Sequence, residues 1–257
     1  MLGRRIAQFL IVYSVGLGGL LGLKYALSLS NYVVPDIPLI LETTQEVIRD
    51  YIPAVFSTLS VTVLGQLISI VLAFSVGIAG RKSSWLGSFI RVTAYNIQAY
   101  PIVALAPIIF ILLGDGFLSR LLIASMICYF PLLLSVLGIM AAPVRDIEHF
   151  YRATGRMTWY LEVKIRAFEN LSKLFTVISG SATLAMAGTI VAEFIAANAG
   201  IGYSIRTALY QSDLAKIFVA LFLIGIIISV YQGLLESIGT WTIRKISTAS
   251  PSHVQEI

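Results

Sequence analysis

The placement of the charged residues constrains this chain more than any other feature. Its 18 Lys and Arg and 13 Asp and Glu fall in clusters, which leave six uncharged stretches: 6–23, 51–80, 92–114, 121–144, 174–192 and 217–235. A helix crosses ~30 Å of hydrocarbon with roughly 20 apolar residues, so each stretch can cross once. Only 12% of the chain is charged and 58% is hydrophobic. Soluble domains carry about 25% charge, so this chain has too little polar material to cover a water-facing surface. The composition also argues against a disordered chain, and one cysteine, Cys128, cannot form an internal disulfide. Two-residue alternation with frequent turns is absent, which disfavours an outer-membrane barrel.

The fold expected is therefore an all-α integral membrane domain over 1–257 with six transmembrane helices. The spans fall at about 6–28, 57–79, 90–113, 120–142, 174–194 and 215–238, with Pro53 marking entry into the second. A cytoplasmic loop occupies 143–173. Six crossings put both termini on one side, and that side holds 13 of the 18 basic residues. The positive-inside rule makes it the cytoplasm. The net charge of +5 reflects this asymmetry, and no nucleic-acid partner is implied. Arg4 and Arg5 resemble a signal n-region, but the apolar run after them is long and lacks a cleavage site. It reads as an uncleaved anchor.

Several absences narrow the function. No lysine follows a glycine, so no phosphate-cradling P-loop exists, and the chain is not expected to be an enzyme that hydrolyses ATP. His149 and His253 both lie outside the spans, so no histidine metal site is expected in the membrane. Ser179-Gly180-Ser181 has no histidine base near it and reads as small-residue helix packing. No span interior carries Asp, Glu or Lys, with Glu193 at a span end as the near exception. An ion- or proton-coupled carrier is therefore the weaker alternative, though it stays open.

The loop 143–173 holds six basic and four acidic residues and reads as helix, break, helix. Asp146 can cap a helix over 148–154, Gly155 breaks the chain, and Thr158 caps a helix over 159–170. Trp159, Leu161 and Ile165 make the second helix partly apolar. Such a unit suits docking to a soluble partner, or a solvated loop on the headgroups.

The third span is unusually polar, with Tyr95, Asn96, Gln98 and Tyr100 before Pro101. Pro101 and Pro107 should bend it, as Pro131 should bend the next. Asn96 and Gln98 are candidates to line a pathway, the alternative being helix-to-helix hydrogen bonding. In the fifth span Ser181 and Thr189 are further candidates, among the small residues Gly180, Ala182, Ala185, Ala187 and Gly188. Glu193 can gate, pair with Arg206, or organise the turn at Gly200–Gly202, the last being preferred.

Permease subunits of binding-protein-dependent ABC importers carry E-A-A-x-x-x-G in the cytoplasmic loop before the penultimate span, followed by I-x-L-P. Gly155 takes the glycine place here, and Ile165 the isoleucine place. Tyr151-Arg152-Ala153-Thr154-Gly155 resembles the A-R-x-L-G stretch of the nitrate, sulfonate and taurine branch, which often has tryptophan where Trp159 stands. The run from Ala192-Glu193 through Asn198, Gly200 and Gly202 to Tyr203 resembles that branch's A-E-x-[IL]-x-A-x-x-G-[IL]-G-[YH]. The span from Pro101 to Gly116 is similar to its proline-rich third span. The chain departs at the E-A-A places, which hold His149, Phe150 and Tyr151, and at the L-P places, which hold Ala167 and Phe168.

The resemblance implies a type I importer fold in the cell membrane, working as a permease homodimer or a related pair. ATP would be bound and hydrolysed on a separate ABC ATPase, with no cofactor on this chain. An extracytoplasmic substrate-binding protein would deliver the solute. Arg152, Gly155, Arg156, Trp159 and Ile165 would meet the ATPase, while Asn198, Gly200 and Gly202 would form an outer turn. Arg152 and Arg156 equally suit positive-inside topology. Solutes of the branch include nitrate, sulfonates, taurine, bicarbonate and thiamine precursors, and no basic residue is expected inside a span to select anions.

Overall fold

The computed structural model describes residues 2–249, and every regular element among them is helical. In chain order the α-helices are α1 (Leu2–Ala26), α2 (Ile37–Ala79), α3 (Ser84–Ala99), α4 (Ile102–Leu113), α5 (Phe117–Ala141), α6 (Arg145–Ala153), α7 (Trp159–Glu169), α8 (Leu171–Ile195), α9 (Ile201–Tyr210) and α10 (Leu214–Ala249), with one 3-10 turn (Gly80–Lys82) after α2. Five of them, α1, α2, α5, α8 and α10, are long and apolar enough to cross a membrane. The pair α3–α4, bent by 82° at its break, is apolar enough to make a sixth if its two halves cross as one.

The bend follows from Pro101, which has no N–H to continue the ladder of α3 and pushes Tyr100 into extended backbone at φ −75°, ψ 135°. Pro53 behaves differently from expectation. It lies inside α2 and does not start it. The helix begins at Ile37, and its charged first turns (Glu42, Glu46, Arg49, Asp50) stand clear of the uncharged stretch. Forty-three residues give α2 a length of ~65 Å, about twice the hydrocarbon thickness. The second helix is thus longer than the span it contains.

The centre of the bundle is α2, α5 and α8. Leu132, Leu133, Val136 and Met140 of α5 pack with Ala73 of α2 and Leu174 of α8 at one end. Tyr51 and Val55 of α2 pack with Ile201 of α9 and Val219 of α10 at the other. Lipid tails are as apolar as leucine, so helices in a bilayer gain from close packing more than from water exclusion. Small residues permit the approach: a Cβ on Gly188 would lie 3.1 Å from the Ala124 Cα of α5. Helix α1 is peripheral. It packs on α10, and Lys24 is its one buried residue.

Candidate functional site

The loop between α5 and α8 is built as the sequence suggested, with a different residue at its root. Gly155 breaks the chain at φ +68°, a region where L-residues are strained. The Thr158 hydroxyl caps α7 by accepting from the Leu161 N–H at 3.2 Å. Asp146 does not cap α6: Val144 holds the N-cap position, with no side-chain cap bond there. Glu148 takes over from within the helix, its carboxylate accepting from the Val144 N–H at 3.1 Å.

Glu148 is also the root of an ion-pair network. Arg166 of α7 donates to it through Nε at 2.6 Å and through NH2 at 2.9 Å. The same guanidinium reaches the Met140 carbonyl at the end of α5 at 2.6 Å and Glu162 at 2.9 Å. Glu162 pairs in turn with Arg81, just beyond α2. Glu148 and Arg166 are both buried. The hydrogen bonds from Arg166 hold the Glu148 carboxyl below its ordinary pKa, and those to Glu148 raise that of Arg166. The ends of α2 and α5 are thereby tied to the loop, while Arg152, Gly155, Arg156 and Trp159 stay exposed and Ile165 is half-buried. Phe150 and Tyr160 add exposed aromatic surface.

The second constellation lies at the far end of α8. Glu193 has no exposure to solvent. Its carboxylate accepts from the Thr58 hydroxyl at 2.7 Å, the Gly202 N–H at 3.0 Å and Arg120 at 3.1 Å. Thr58 in turn accepts from the Ile201 N–H at 2.9 Å. Gly200 sits at φ +95°, and a Cβ there would fall 2.1 Å from the Glu193 carboxyl. Glu193 thus organises the Gly200–Gly202 turn. It does not pair with Arg206, which donates instead to the Phe194 and Ala197 carbonyls. Asn198 bonds Asp115 at 2.9 Å and ties this turn to the corner between α4 and α5. Buried charge inside spans was not expected, yet Glu193, Arg120 and Lys24 are all buried within membrane-crossing helices. Each is paired, as a low-dielectric site requires.

Two of the candidate pathway residues are placed elsewhere. Ser181 accepts from Gln66 Nε2 of α2 at 2.9 Å, and Thr189 bonds the Thr62 hydroxyl at 3.1 Å. Both are buried in the α2–α8 contact, where a hydroxyl needs a partner, so they join helices instead of lining a space. Gln66 extends this seam to α10, its Oε1 accepting from Tyr231 at 2.5 Å. Asn96 and Gln98 are exposed on α3 beside the bend, without a hydrogen-bond partner among the described residues. Glu148, Arg166, Arg120, Thr58 and Gln66 were missed. The local signals were the i,i+4 spacings of Glu162 with Arg166 and of Glu148 with Arg152.

Residues 69–247 match the family described as binding-protein-dependent transport system inner membrane component. The chain belongs to this family. Its members are integral, multi-pass membrane proteins, in keeping with the helices above. The chain is 35% identical over 156 residues to the riboflavin transport system permease protein RibX of Chloroflexus aurantiacus, a match covering 59% of this chain and 58% of that protein. It is 22% identical over 200 residues to the formylaminopyrimidine transport permease protein ThiX of Halalkalibacterium halodurans, covering 76% and 79%. The first match thus spans less than two thirds of the relative. The family segment takes in the mounted loop, the bent pair α3–α4 and Glu193 with Arg120 and the Gly200–Gly202 turn, and leaves α1 and the first part of α2, with Thr58, outside.

Proposed function

We propose that the chain is the membrane-spanning permease subunit of an ATP-driven importer, with both termini in the cytoplasm. Two copies form the pathway, a separate ABC ATPase docks beneath, and an extracytoplasmic binding protein delivers the solute. The observation that carries this reading is the loop: an exposed helix-glycine-helix unit with Arg152, Arg156 and Trp159 outward, fixed to the bundle by buried Glu148 and Arg166. A unit that is exposed at its tip and rigid at its root can both dock a partner and transmit its motion.

The solute proposed is a neutral vitamin or vitamin precursor built on a planar nitrogen heterocycle. Support comes from the riboflavin and formylaminopyrimidine named for the two relatives. It also comes from the charge: the ionised groups buried within the crossing helices, Lys24, Arg120 and Glu193, are already paired within the chain. Simple anions such as nitrate or a sulfonate are less well served, since Arg120 is occupied by Glu193.

The test is reconstitution in liposomes. Uptake should require the ATPase and ATP, and an ion gradient alone should not drive it. Gly155→Val should release the ATPase on co-purification and abolish uptake while leaving the bundle folded. Uptake driven by a proton or sodium gradient without ATPase would refute the reading.

A further inference from the structure

The bend in α3–α4 leaves polar groups bare in the middle of a long uncharged stretch. Tyr95, Asn96, Gln98 and Tyr100 lie between Arg91 and Asp115, within the uncharged stretch 92–114. All four are exposed, Tyr95 at 59% and Tyr100 at 68%. Neither amide has a hydrogen-bond partner among the described residues. The backbone is open at the same place. Tyr100 N–H bonds Ile97 and Ala104 N–H bonds Pro101, so the carbonyls of Gln98 and Ala99 and the N–H groups of Ile102 and Val103 have no backbone partner among the described residues. Broken backbone at membrane depth is tolerated only against protein or a water-filled cavity, because lipid cannot satisfy it. Bare amides follow the same rule.

We propose that this elbow is the solute-reading site of the permease, and that it takes a neutral, planar nitrogen heterocycle. This rests on the importer reading above. The chemistry selects the ligand in three steps. No ionised group lies on the bent pair between Arg91 and Asp115, so this element offers a charged solute no counter-charge. Two tyrosines offer ring faces for stacking, which any flat heteroaromatic ring satisfies. On α3 Asn96 lies one turn from Tyr100 and Gln98 one turn from Tyr95, so each tyrosine has an amide donor and acceptor beside it, and with the freed carbonyls and N–H groups these complement the mixed edge of a ring with amide-like nitrogen and oxygen. The break supplies directional groups near the middle of a crossing, which an unbroken helix cannot do.

The experiment uses the assembled importer in liposomes, with riboflavin and formylaminopyrimidine as the probes. Tyr95→Ala and Tyr100→Ala should each raise KM for the accepted heterocycle by roughly tenfold or more, the scale of one lost stacking contact. Tyr100→Phe should keep most of the affinity. Asn96→Leu and Gln98→Leu should raise KM in the same way, with ATPase co-purification unchanged in every variant. Unchanged KM in the two alanine variants overturns the proposal. So does an ATP-driven wild type that moves only non-aromatic solutes, a result that would leave the importer reading standing. High-yield cross-linking between two copies through Tyr100→Cys, unaffected by saturating probe, would show the elbow to be a permease–permease contact and would likewise overturn it. Transport that needs no ATP would instead sink the importer reading itself.

Discussion

Arg166→Met is the most informative single change. The guanidinium makes two bonds to buried Glu148, one to Glu162 and one to the Met140 carbonyl. Removing one partner of a buried pair leaves the other charge uncompensated, typically at a cost of about 3–5 kcal/mol. Here part of that is recovered. Glu148 keeps the Val144 N–H, and it keeps Arg152 at 3.3 Å. The Arg152 side chain is 59% exposed, so that pair contributes at most about 1 kcal/mol. The net expectation is a loss of about 2–4 kcal/mol, concentrated on α6 and α7, because the core clusters of the bundle do not include Arg166. Arg152→Met, by contrast, should cost about 0.5 kcal/mol.

Amide hydrogen exchange resolved over 145–169 reads this directly. Opening should rise by roughly 30-fold or more in Arg166→Met and barely change in Arg152→Met. A double change, Glu148→Leu with Arg166→Met, should recover part of the loss, since no buried charge is then left alone. Equal exchange in the two single variants, or strictly additive effects in the double, would refute the view that this pair mounts the loop.

Four further outcomes follow from the same geometry. Glu148 has a lowered pKa in the folded chain, so its contribution is full above the ordinary carboxylate value and drains as pH falls through the depressed one; exchange over α6 should therefore rise only in acid, and in Glu148→Gln that acid step should vanish. Gly200→Ala should destabilise the outer turn by at least about 1–2 kcal/mol, because φ +95° is strained for alanine and its Cβ meets Glu193, as a fall in thermal midpoint would show. Glu193→Gln should lower both stability and uptake, since an amide cannot pair with Arg120 while accepting from both Thr58 and Gly202; wild-type uptake would leave this cluster without a part in transport. Gly188→Leu should weaken the α5–α8 contact by about 1–3 kcal/mol in the same melting assay, as the added side chain meets the Ala124 and Ile127 atoms.

Membrane architecture was legible because charge is expensive in hydrocarbon, so a sequence must declare where its helices cross. The glycine break and the Thr158 cap were legible for a similar reason, since each depends on one residue's own backbone chemistry. What escaped were the partners. Glu148 and Arg166 are 18 positions apart, and Arg120 and Glu193 are 73 apart. Arg120 stands at the edge of an uncharged stretch, and nothing nearby in sequence announces Glu193. Ser181 and Thr189 looked like pathway residues because hydroxyls that face a space and hydroxyls that join helices share one pattern. Only the position of α2, with Gln66 and Thr62 directed at them, decides between the two. The extent of the bend was hidden too. Proline predicts a kink, but not a break of 82° with amides left bare beside it.

The two buried ion pairs acquire a common meaning when placed along α8. This helix of 25 residues is ~37 Å long. Just before its start, Arg166 on α7 is fixed to the C-terminal end of α5 through the Met140 carbonyl. At its other end, Glu193 is fixed to Arg120 in the first turn of α5. Between them the helices touch closely at Gly188, and Cys128 of α5 reaches the Ser181 carbonyl at 3.5 Å. Helices α5 and α8 are therefore clamped at both ends and packed between, so a push on the loop moves them together instead of sliding one past the other. The bent pair α3–α4 rests on α5 on both sides of its break, through Ala94 near one end and through Ala106 and Phe110 near the other. Motion of the clamped pair must therefore change the surroundings of the elbow, and a loop docked to an ATPase would have a physical route to the bare amides at Asn96 and Gln98.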